Sequence, residues 1–547
     1  MKTNADLNKN NYIPYHVHTE YSLLDSCDKP ETYVNLAREN GMRALSFSEH
    51  GKPLNWTEKL NLCNKAGIKY IHSVEIYLTE TLSPKVRDNY HTILIAKNMD
   101  GVRELNEIVS RSTDPSHFYY VNRISFEEFL NLSDNIITTS ACLASPLNKL
   151  PESHPMYEVL AKKYTFYEVQ GHNNPEQKKF NKHLLELSRK YNKLLIAGTD
   201  THSSSKYMAE CRDAFLDAKH KRYEDEGFDL TFKTYDELVE MFRVQGVLNE
   251  NEYMQAINNT NLLYDMTDEI ILDTKIKYPI LYGSREEDSK KFKQVVAECF
   301  EYKIKKGIIP REQEQAFRDE IAEEMRVFDK LEMNGFMLSM HEIVGWCRSQ
   351  GMAIGTARGS VGGSSVAYVT DITDLNAQQW HTVFSRFANE NRKEIGDIDI
   401  DCIEEDRPKI FEYIINRFGT EKTARVASFG TNQAKGVIDD VGRHLANEWR
   451  RKNPNGADKD NPWNLENIAK IKKEFDENEE RTKKKYSELF YYFDGLYNKI
   501  KSQSIHPAGI VISPITLSDN FGTFYKDGEQ CLMLDMDNVH DFTGLAK

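Results

Sequence analysis

Up to about residue 270 the chain alternates short apolar runs with longer polar stretches of helical character. Ala44-Leu45-Ser46-Phe47, Ile68-Lys69-Tyr70-Ile71, Thr92-Ile93-Leu94-Ile95-Ala96, Ile136-Ile137-Thr138-Thr139 and Leu194-Leu195-Ile196-Ala197 read as buried strands. Polar helical segments lie between them, such as Glu31 to Asn40 and Lys178 to Tyr191. This rhythm predicts a layered α/β domain or a barrel with largely parallel strands. A charged helical stretch, Glu312 to Met333, then leads into a second region. Residues 435 to 503 read as helical and rich in charge, with Lys470-Ile471-Lys472-Lys473 and Arg481-Thr482-Lys483-Lys484-Lys485. After Pro507, Gly509-Ile510-Val511-Ile512-Ser513 predicts a short strand that returns the chain to an earlier sheet.

One polar pattern inside the second region stands out. In Asp397-Ile398-Asp399-Ile400-Asp401 carboxylates alternate with isoleucines, as in a strand that shows acid on one face and apolar side chains on the other. Neighbouring carboxylates repel, so folding alone does not favour this arrangement, and a divalent cation removes the penalty. Upstream, Gly355-Thr356-Ala357-Arg358-Gly359-Ser360-Val361-Gly362-Gly363-Ser364-Ser365 is a glycine-rich loop entering an apolar segment. Glycines let backbone N–H groups approach phosphate oxygens, Ser360 adds a hydroxyl and Arg358 a cationic fork. A glycine-rich loop alone is usually a turn. This one gains weight from Arg386-Phe387 and from the aspartates that follow. Two Mg²⁺ ions on such aspartates would serve nucleotidyl transfer.

Composition narrows the classes. A chain of 547 residues is too long for one ordinary core, and its 39% hydrophobic and 29% charged content suits a folded rather than a disordered protein. No apolar run approaches the roughly 20 residues that cross a bilayer. The N-terminus is polar and lacks the apolar core of a signal peptide, which leads to an expectation of cytoplasmic location and no membrane partner. The eight cysteines are scattered, with no C-x-x-C pair, and read as reduced thiols. A net charge of −14 argues against nonspecific coating of nucleic acid but leaves room for a local basic groove.

The first region carries a second candidate site. His16-Val17-His18 places two imidazoles two residues apart, on one side of an extended chain. Further candidates fall near the ends of successive predicted strands: His50, Glu75, His91, Cys142, and Asp200 with His202. Sites in α/β folds gather outside the carboxyl ends of strands, so residues this far apart in sequence can converge.

Tyr15 to Asp25, Glu49-His50-Gly51 and Gly198-Thr199-Asp200-Thr201-His202 resemble the polymerase-and-histidinol-phosphatase (PHP) domain. The resemblance implies a trinuclear metal centre on His16, His18, Asp25, His50, Glu75, His91, Cys142, Asp200 and His202, holding Zn²⁺, Mn²⁺ or Fe²⁺, with 3′–5′ exonuclease activity. Glu49 stands where the family more often has Asp and is not counted as a ligand. From Gly351 to Val441 the chain resembles the palm of C-family DNA polymerase III alpha subunits. The carrying motifs are the glycine-rich loop, Phe384-Ser385-Arg386-Phe387, Gly396 to Asp401 and Ser428-Phe429-Gly430-Thr431, with His506-Pro507-Ala508-Gly509 further on.

By that resemblance the fold is α/β multidomain. A PHP-type distorted (β/α) barrel over 1–272 is followed by a nucleotidyltransferase-like palm over 273–432, a helical thumb over 433–504 and returning palm strands over 505–547. Asp399 and Asp401 are implied as Mg²⁺-binding catalytic carboxylates, and Arg358, Gly359, Ser360, Arg386 and Lys547 as nucleotide contacts; Asp397 supports the strand. The thumb lysines either grip duplex phosphates or form a solvated charged face. The implied partners are primer–template DNA and deoxynucleoside triphosphates. The family's third catalytic aspartate is expected about two residues past Lys547. The chain is therefore expected to be the N-terminal portion of a split, interrupted or shortened polymerase. It would need a C-terminal polymerase fragment, which would also carry contacts to the sliding clamp and other replisome proteins. The alternative is a stand-alone PHP phosphoesterase without polymerase activity.

Overall fold

The computed structural model describes residues 11–221, 228–390 and 398–546. The chain divides into two compact units. The first comprises Met1–Ile271, Ala427–Ile505 and Met533–Asp535, and the second Leu272–Val426, His506–Leu532 and Met536–Lys547.

The first unit is built on strands β1 (Ala44–Phe47), β2 (Lys69–Thr79), β3 (Tyr90–Ala96), β4 (Arg123–Ser125), β5 (Ile136–Thr139), β6 (Phe166–Gln170) and β7 (Leu194–Gly198). They pair in the order β1-β2-β3-β5-β6-β7, with β4 attached to β2. The segment before β1 closes the circuit. Ser46 N and Ser48 N donate to the carbonyls of Pro14 and Val17, while His18 N donates to Thr201 O and Thr201 N to His16 O. The result is a distorted barrel. Val17 makes a single bridge to Thr201, so His16-Val17-His18 is an extended strap rather than a full strand. The core under the strands gathers Ile13, Tyr15, Ile71, Ile93, Ile95, Ile137 and Ile196.

The strands are less uniformly parallel than expected. β1, β2 and β4 run parallel, as do β5, β6 and β7, but β3 is antiparallel to both β2 and β5. The reason lies in the connection: residues 80–89 contain no helix, and a parallel return needs a crossover. Strands β4 and β6 are additions to the sequence expectation.

The helical block also belongs to the first unit. Helices Ala434–Lys452, Leu465–Glu477 and Ser487–Leu496 turn Val437, Val441, Leu445, Ile468, Ile471, Leu489 and Phe493 toward Met208, Cys211 and Phe215 of helix Lys206–Ala218. Gly442 permits the closest approach: a Cβ there would stand 2.3 Å from Ile468 Cδ1.

In the second unit, helices Arg285–Lys305, Glu314–Lys330 and Asn334–Ser349 surround a core with Phe292, Phe328, Phe336, Met337 and Ile343. A two-residue β8 (Ile354–Gly355) pairs antiparallel with an equally short β9 (Asp401–Cys402). Strands β10 (Thr423–Thr431), β11 (Ile500–Ile512), β12 (Thr523–Lys526) and β13 (Glu529–Asp535) pair in the order β11-β10-β13-β12, and the division of the chain into two units falls within β10, β11 and β13, so this sheet is not confined to the second. The expected strand over Gly509–Ser513 is thus the end of a much longer one. The helical reading of 435–503 ends early, because β11 starts at Ile500.

Candidate functional site

The nine residues singled out in the first unit are brought together. His16 Nε2 lies 3.0 Å from both Glu75 Oε2 and Asp200 Oδ1. His18 Nε2 is 3.2 Å from the same Glu75 oxygen and 3.5 Å from Asp200. Asp25 Oδ2 is 2.8 Å from His50 Nε2 and 3.4 Å from His202 Nε2. His91 Nδ1 pairs with Glu75 Oε1 and is 3.7 Å from Cys142 Sγ. The elements explain the convergence: Glu75 projects from β2 and His91 from β3, while Cys142 follows β5 and Asp200 and His202 follow β7. Asp200 takes a left-handed backbone, φ 46°, a conformation aspartate tolerates better than most residues.

A supporting layer holds these groups. Glu168 of β6 accepts from Tyr15 OH (2.9 Å), Thr139 Oγ1 (3.1 Å) and Gln170 Nε2 (2.8 Å), and faces His16 Nδ1 at 2.6 Å. A carboxylate on the far nitrogen fixes an imidazole's tautomer and orientation. Glu49, fully buried, accepts from Thr19 N, Thr19 Oγ1, Ser22 Oγ and the equally buried Lys59 Nζ. Ser22 Oγ in turn meets His18 Nδ1 at 3.0 Å. Arg212 pairs with Asp25. Glu168, Arg212, Lys59 and Ser22 were beyond the sequence reading. The one available signal for Glu168 is a lone carboxylate inside an otherwise uncharged run, Phe166-Tyr167-Glu168-Val169-Gln170.

The electrostatics fit a metal centre. Burial would lower His18, but Asp200 and Glu75 take it up to about 9. Burial would raise Glu75 and Asp200, yet the surrounding imidazoles hold both carboxyls well below the ordinary range. Burial, then Asp200 and Glu75, push the Cys142 thiol up. His18 Nε2 and His50 Nδ1 are buried without a hydrogen-bond partner. Three overlapping sets, His18/His50/His202, His16/His18/Glu75/Asp200 and Glu75/His91/Cys142, each bring one ligand atom per residue within 4.8 Å of the others. These donors suit divalent ions with a preference for nitrogen, carboxylate and thiolate.

The second unit holds the other candidate. The alternation of Asp399 and Asp401 with Ile398 and Ile400 survives as exposed acids over partly buried isoleucines, but the strand itself shrinks to Asp401–Cys402. Its partner is only Ile354–Gly355, because the chain beyond leaves the pairing to form the glycine loop. Asp397 and Lys547 lie outside the described residues. Arg358 joins the two acids, with Nη1 3.1 Å from Asp401 Oδ1 and Nε 3.7 Å from Asp399 Oδ2. Gly359 has φ 82°, and a Cβ there would be 3.6 Å from Asp399 Oδ2, so the loop backbone comes close to the acids. Ser360 begins a short 3₁₀ turn, Ser360–Gly363, and is exposed.

The loop is pinned from below. The buried Glu324 accepts from Ser364 Oγ (2.6 Å), Ser365 N (2.7 Å) and Val366 N (2.9 Å). Arg358, Asp399 and Asp401 share a cleft of about 540 Å³ with His506, Gly509 and Met536. Arg386 sits on the turn Phe384–Arg386, beside the loop but outside that lining. Two carboxylates, a guanidinium and a glycine backbone form a donor set that fits Mg²⁺ and phosphate.

In the helical block the candidate DNA-gripping lysines largely have local partners. Lys435 pairs with Asp476, Lys472 with Asp439, Lys483 with Glu479, Lys484 with Glu480 and Lys485 with Glu474. That pattern is closer to a solvated charged face than to a continuous basic groove. Among the described residues no helix is long and apolar enough to cross a membrane.

A model of the PHP domain matches residues 14–195, and one described as the bacterial DNA polymerase III alpha NTPase domain matches 290–547. The first unit therefore contains a PHP domain, and the two domain types imply dependence on divalent metal. The chain is 28% identical to the DNA polymerase III subunit alpha of Borreliella burgdorferi, over 98% of this chain and 48% of that protein. It is 26% identical to the one of Aquifex aeolicus, over 98% and 50%, and 24% identical to the one of Thermus aquaticus, over 92% and 47%. Residues 290–547 thus carry the domain of bacterial DNA polymerase III alpha subunits, and nearly the whole chain is similar to such subunits. The chain spans about half the length of the curated relatives it matches.

Proposed function

We infer that this chain supplies the nucleotidyl-transfer centre of a template-directed DNA polymerase, together with a PHP phosphoesterase centre that trims 3′ ends. The observation that carries the first part is the meeting of Asp399, Asp401 and Arg358 beside the backbone of Gly359. Asp399 and Asp401 would hold Mg²⁺, which when bound supplies charge neutralisation for an in-line phosphoryl transfer. Arg358 would pass from the carboxylates to the triphosphate of an incoming deoxynucleotide, with Gly359 N–H and Ser360 Oγ placed to donate to phosphate oxygens. Arg386, on the turn Phe384–Arg386, is proposed as a further triphosphate contact from the family resemblance. Lys547 is proposed as a further contact from the family resemblance alone. The chain spans about half of the relatives it matches, and primer extension is proposed to draw on a C-terminal polymerase portion as well. Clamp and replisome contacts are assigned to that portion.

The second part rests on the nine-residue centre. His16, His18, Asp25, His50, Glu75, His91, Cys142, Asp200 and His202 would hold Zn²⁺, Mn²⁺ or Fe²⁺, which when bound supply an activated water for phosphoester hydrolysis. Glu168 would keep His16 presenting Nε2, and Arg212 would hold Asp25 in place beside His202 and His50. The completeness of this centre also favours a second reading, in which ester hydrolysis is the chain's only independent activity.

The test separates the two centres. With a C-terminal portion supplied, Asp399→Asn and Asp401→Asn should abolish primer extension and spare ester hydrolysis. His16→Ala with His18→Ala should do the reverse. Strong extension by the 547-residue chain alone would overturn the requirement for that portion. Loss of hydrolysis on changing Asp399 would overturn the division of labour.

A further inference from the structure

The cavity in front of the nine-residue centre is larger than metal binding alone requires. It encloses about 540 Å³, within the range of roughly 300–1,000 Å³ found for pockets that hold small organic ligands. Part of the lining beside the ligands has a different character. Phe228 and the buried Leu230 make an apolar side, and the exposed Asn148 and Lys149, with Glu176, add polar groups to the lining. Phe228 is held in place: its ring meets the buried His172 edge-on, with centroids 4.8 Å apart and planes at 72°. Asn148 is fastened through Nδ2 to Leu143 O at 2.8 Å. Lys149 ends the short helix Pro146–Lys149, which follows Cys142 closely, so a cation sits on the same rim as a proposed metal ligand.

These features select among phosphoesters. An inorganic phosphate or a small sugar phosphate would use the metal centre and leave the half-buried Phe228 ring uncovered. A nucleotide carries a flat apolar face a few bonds from its phosphate. Any base has such a face, so an aromatic wall accepts every base without reading sequence. A second phosphate, one nucleotide along, would lie outside the ligand shell and needs a cation at the rim.

We propose that Phe228 stacks the base of the nucleotide whose phosphate lies at the nine-residue centre, and that Lys149 pairs with the neighbouring phosphate. These two side chains would be what lets the centre prefer a strand end over a small phosphate ester. This rests on the phosphoesterase reading of the centre.

The test is equilibrium binding to the Zn²⁺-loaded 547-residue chain, with three probes: inorganic phosphate, dTMP, and a 5′-fluorescein oligothymidylate. Phe228→Ala should weaken dTMP by about ten- to a hundredfold while phosphate changes by less than about twofold, as loss of base stacking alone would do. Phe228→Trp should restore dTMP binding. Lys149→Ala should weaken the oligonucleotide and flatten its dependence on salt by roughly one counterion, which a merely structural role would not do. Equal weakening of phosphate and dTMP in Phe228→Ala would overturn the stacking assignment, as would unchanged dTMP binding. A wild-type chain that binds dTMP in this Phe228-dependent way yet hydrolyses no ester would uphold the stacking assignment and sink the phosphoesterase reading instead.

Discussion

The two centres gather carboxylates in opposite ways. In the first unit the acids are interior: Glu75 is 1% exposed beside a fully buried His16, and Glu49 is fully buried on Lys59. In the second unit Asp399 and Asp401 are 53% and 57% exposed, and the Arg358 that joins them is 65% exposed. An interior acid must be compensated by fixed partners before any ligand arrives, so the first centre comes with its own shell of Glu168, Ser22, Lys59 and Arg212. An exposed acid is compensated by water and can wait for its substrate. The first centre is preorganised, while the second has an exposed arginine as its only polar side-chain clamp on the acid pair among the described contacts. The contrast predicts that equivalent substitutions will act very differently in the two places.

The largest difference should come from breaking a buried pair. Lys59→Met leaves Glu49 ionised, interior and short of one donor, and burial then works against an acid that Lys59 otherwise helps bring down to about 2. Uncompensated buried charges of this kind cost about 3–5 kcal/mol. Urea unfolding of the first unit should show that loss, and adding Glu49→Gln should recover much of it. If Lys59→Met costs under about 1 kcal/mol, the interior is wetter than its packing implies and the comparison fails.

Next in size is the orientation of His16. Glu168→Gln keeps the shape of the contact but removes the charge from His16 Nδ1. Loss of such an outer carboxylate typically costs 10–100-fold in metal affinity, and a competition titration with a chelator would measure it. No parallel substitution exists in the second unit, because no described residue there buttresses Asp399 or Asp401 from behind. An unchanged affinity would mean that Glu168 serves the Tyr15 and Thr139 hydrogen bonds alone.

This asymmetry also governs what could be read from the sequence. Eight of the nine residues sit on the strap before β1 or on or near a strand, so the βα rhythm and residue type point to them, while Asp25 lies on no strand and is reached only through the PHP resemblance. Their supports were not legible. Glu168 lies on a strand the apolar pattern did not reveal, and Lys59 looks like any other helix lysine until its burial is known. Polar residues inside buried strands misled in the same way. His72, Ser73 and Glu75 interrupt the apolar run of β2, so only its first part was expected. Lys501 to Ser504 hid the start of β11 inside a charged stretch. At Asp399 and Asp401 the error ran the other way. The alternation was clear, but a strand is only as long as its partner, and the glycine loop leaves β9 two residues to pair with.

A smaller effect separates the acids by pH. Burial pushes Glu324 up to about 7, against its donors from Ser364, Val366 and Ser365. Between the ordinary value of 4.5 and about 7 the folded chain keeps a proton that the unfolded chain has released. Stability of the second unit should therefore fall as pH rises through that window, by at most about 1.4 kcal/mol per pH unit. Glu324→Gln should remove the slope. A slope of the same size in the variant would assign it to other groups.

The smallest effect completes the comparison. Arg358→Met removes the cation that joins Asp399 to Asp401, just as Lys59→Met removes the one beside Glu49. Here all three groups are more than half exposed, so water takes over the solvation of both acids. Exposed pairs contribute about 0–1 kcal/mol, and the variant should unfold within that margin of the parent. The two acids should then sit closer to unscreened repulsion, so added Mg²⁺ should stabilise the variant at least as much as the parent. Equal thermal shifts with Mg²⁺ on removing Asp399 and Asp401 together would show that the ion binds elsewhere. A loss of several kcal/mol from Arg358→Met alone would mean that the guanidinium holds the short β9 in place, and that the second centre is as preorganised as the first.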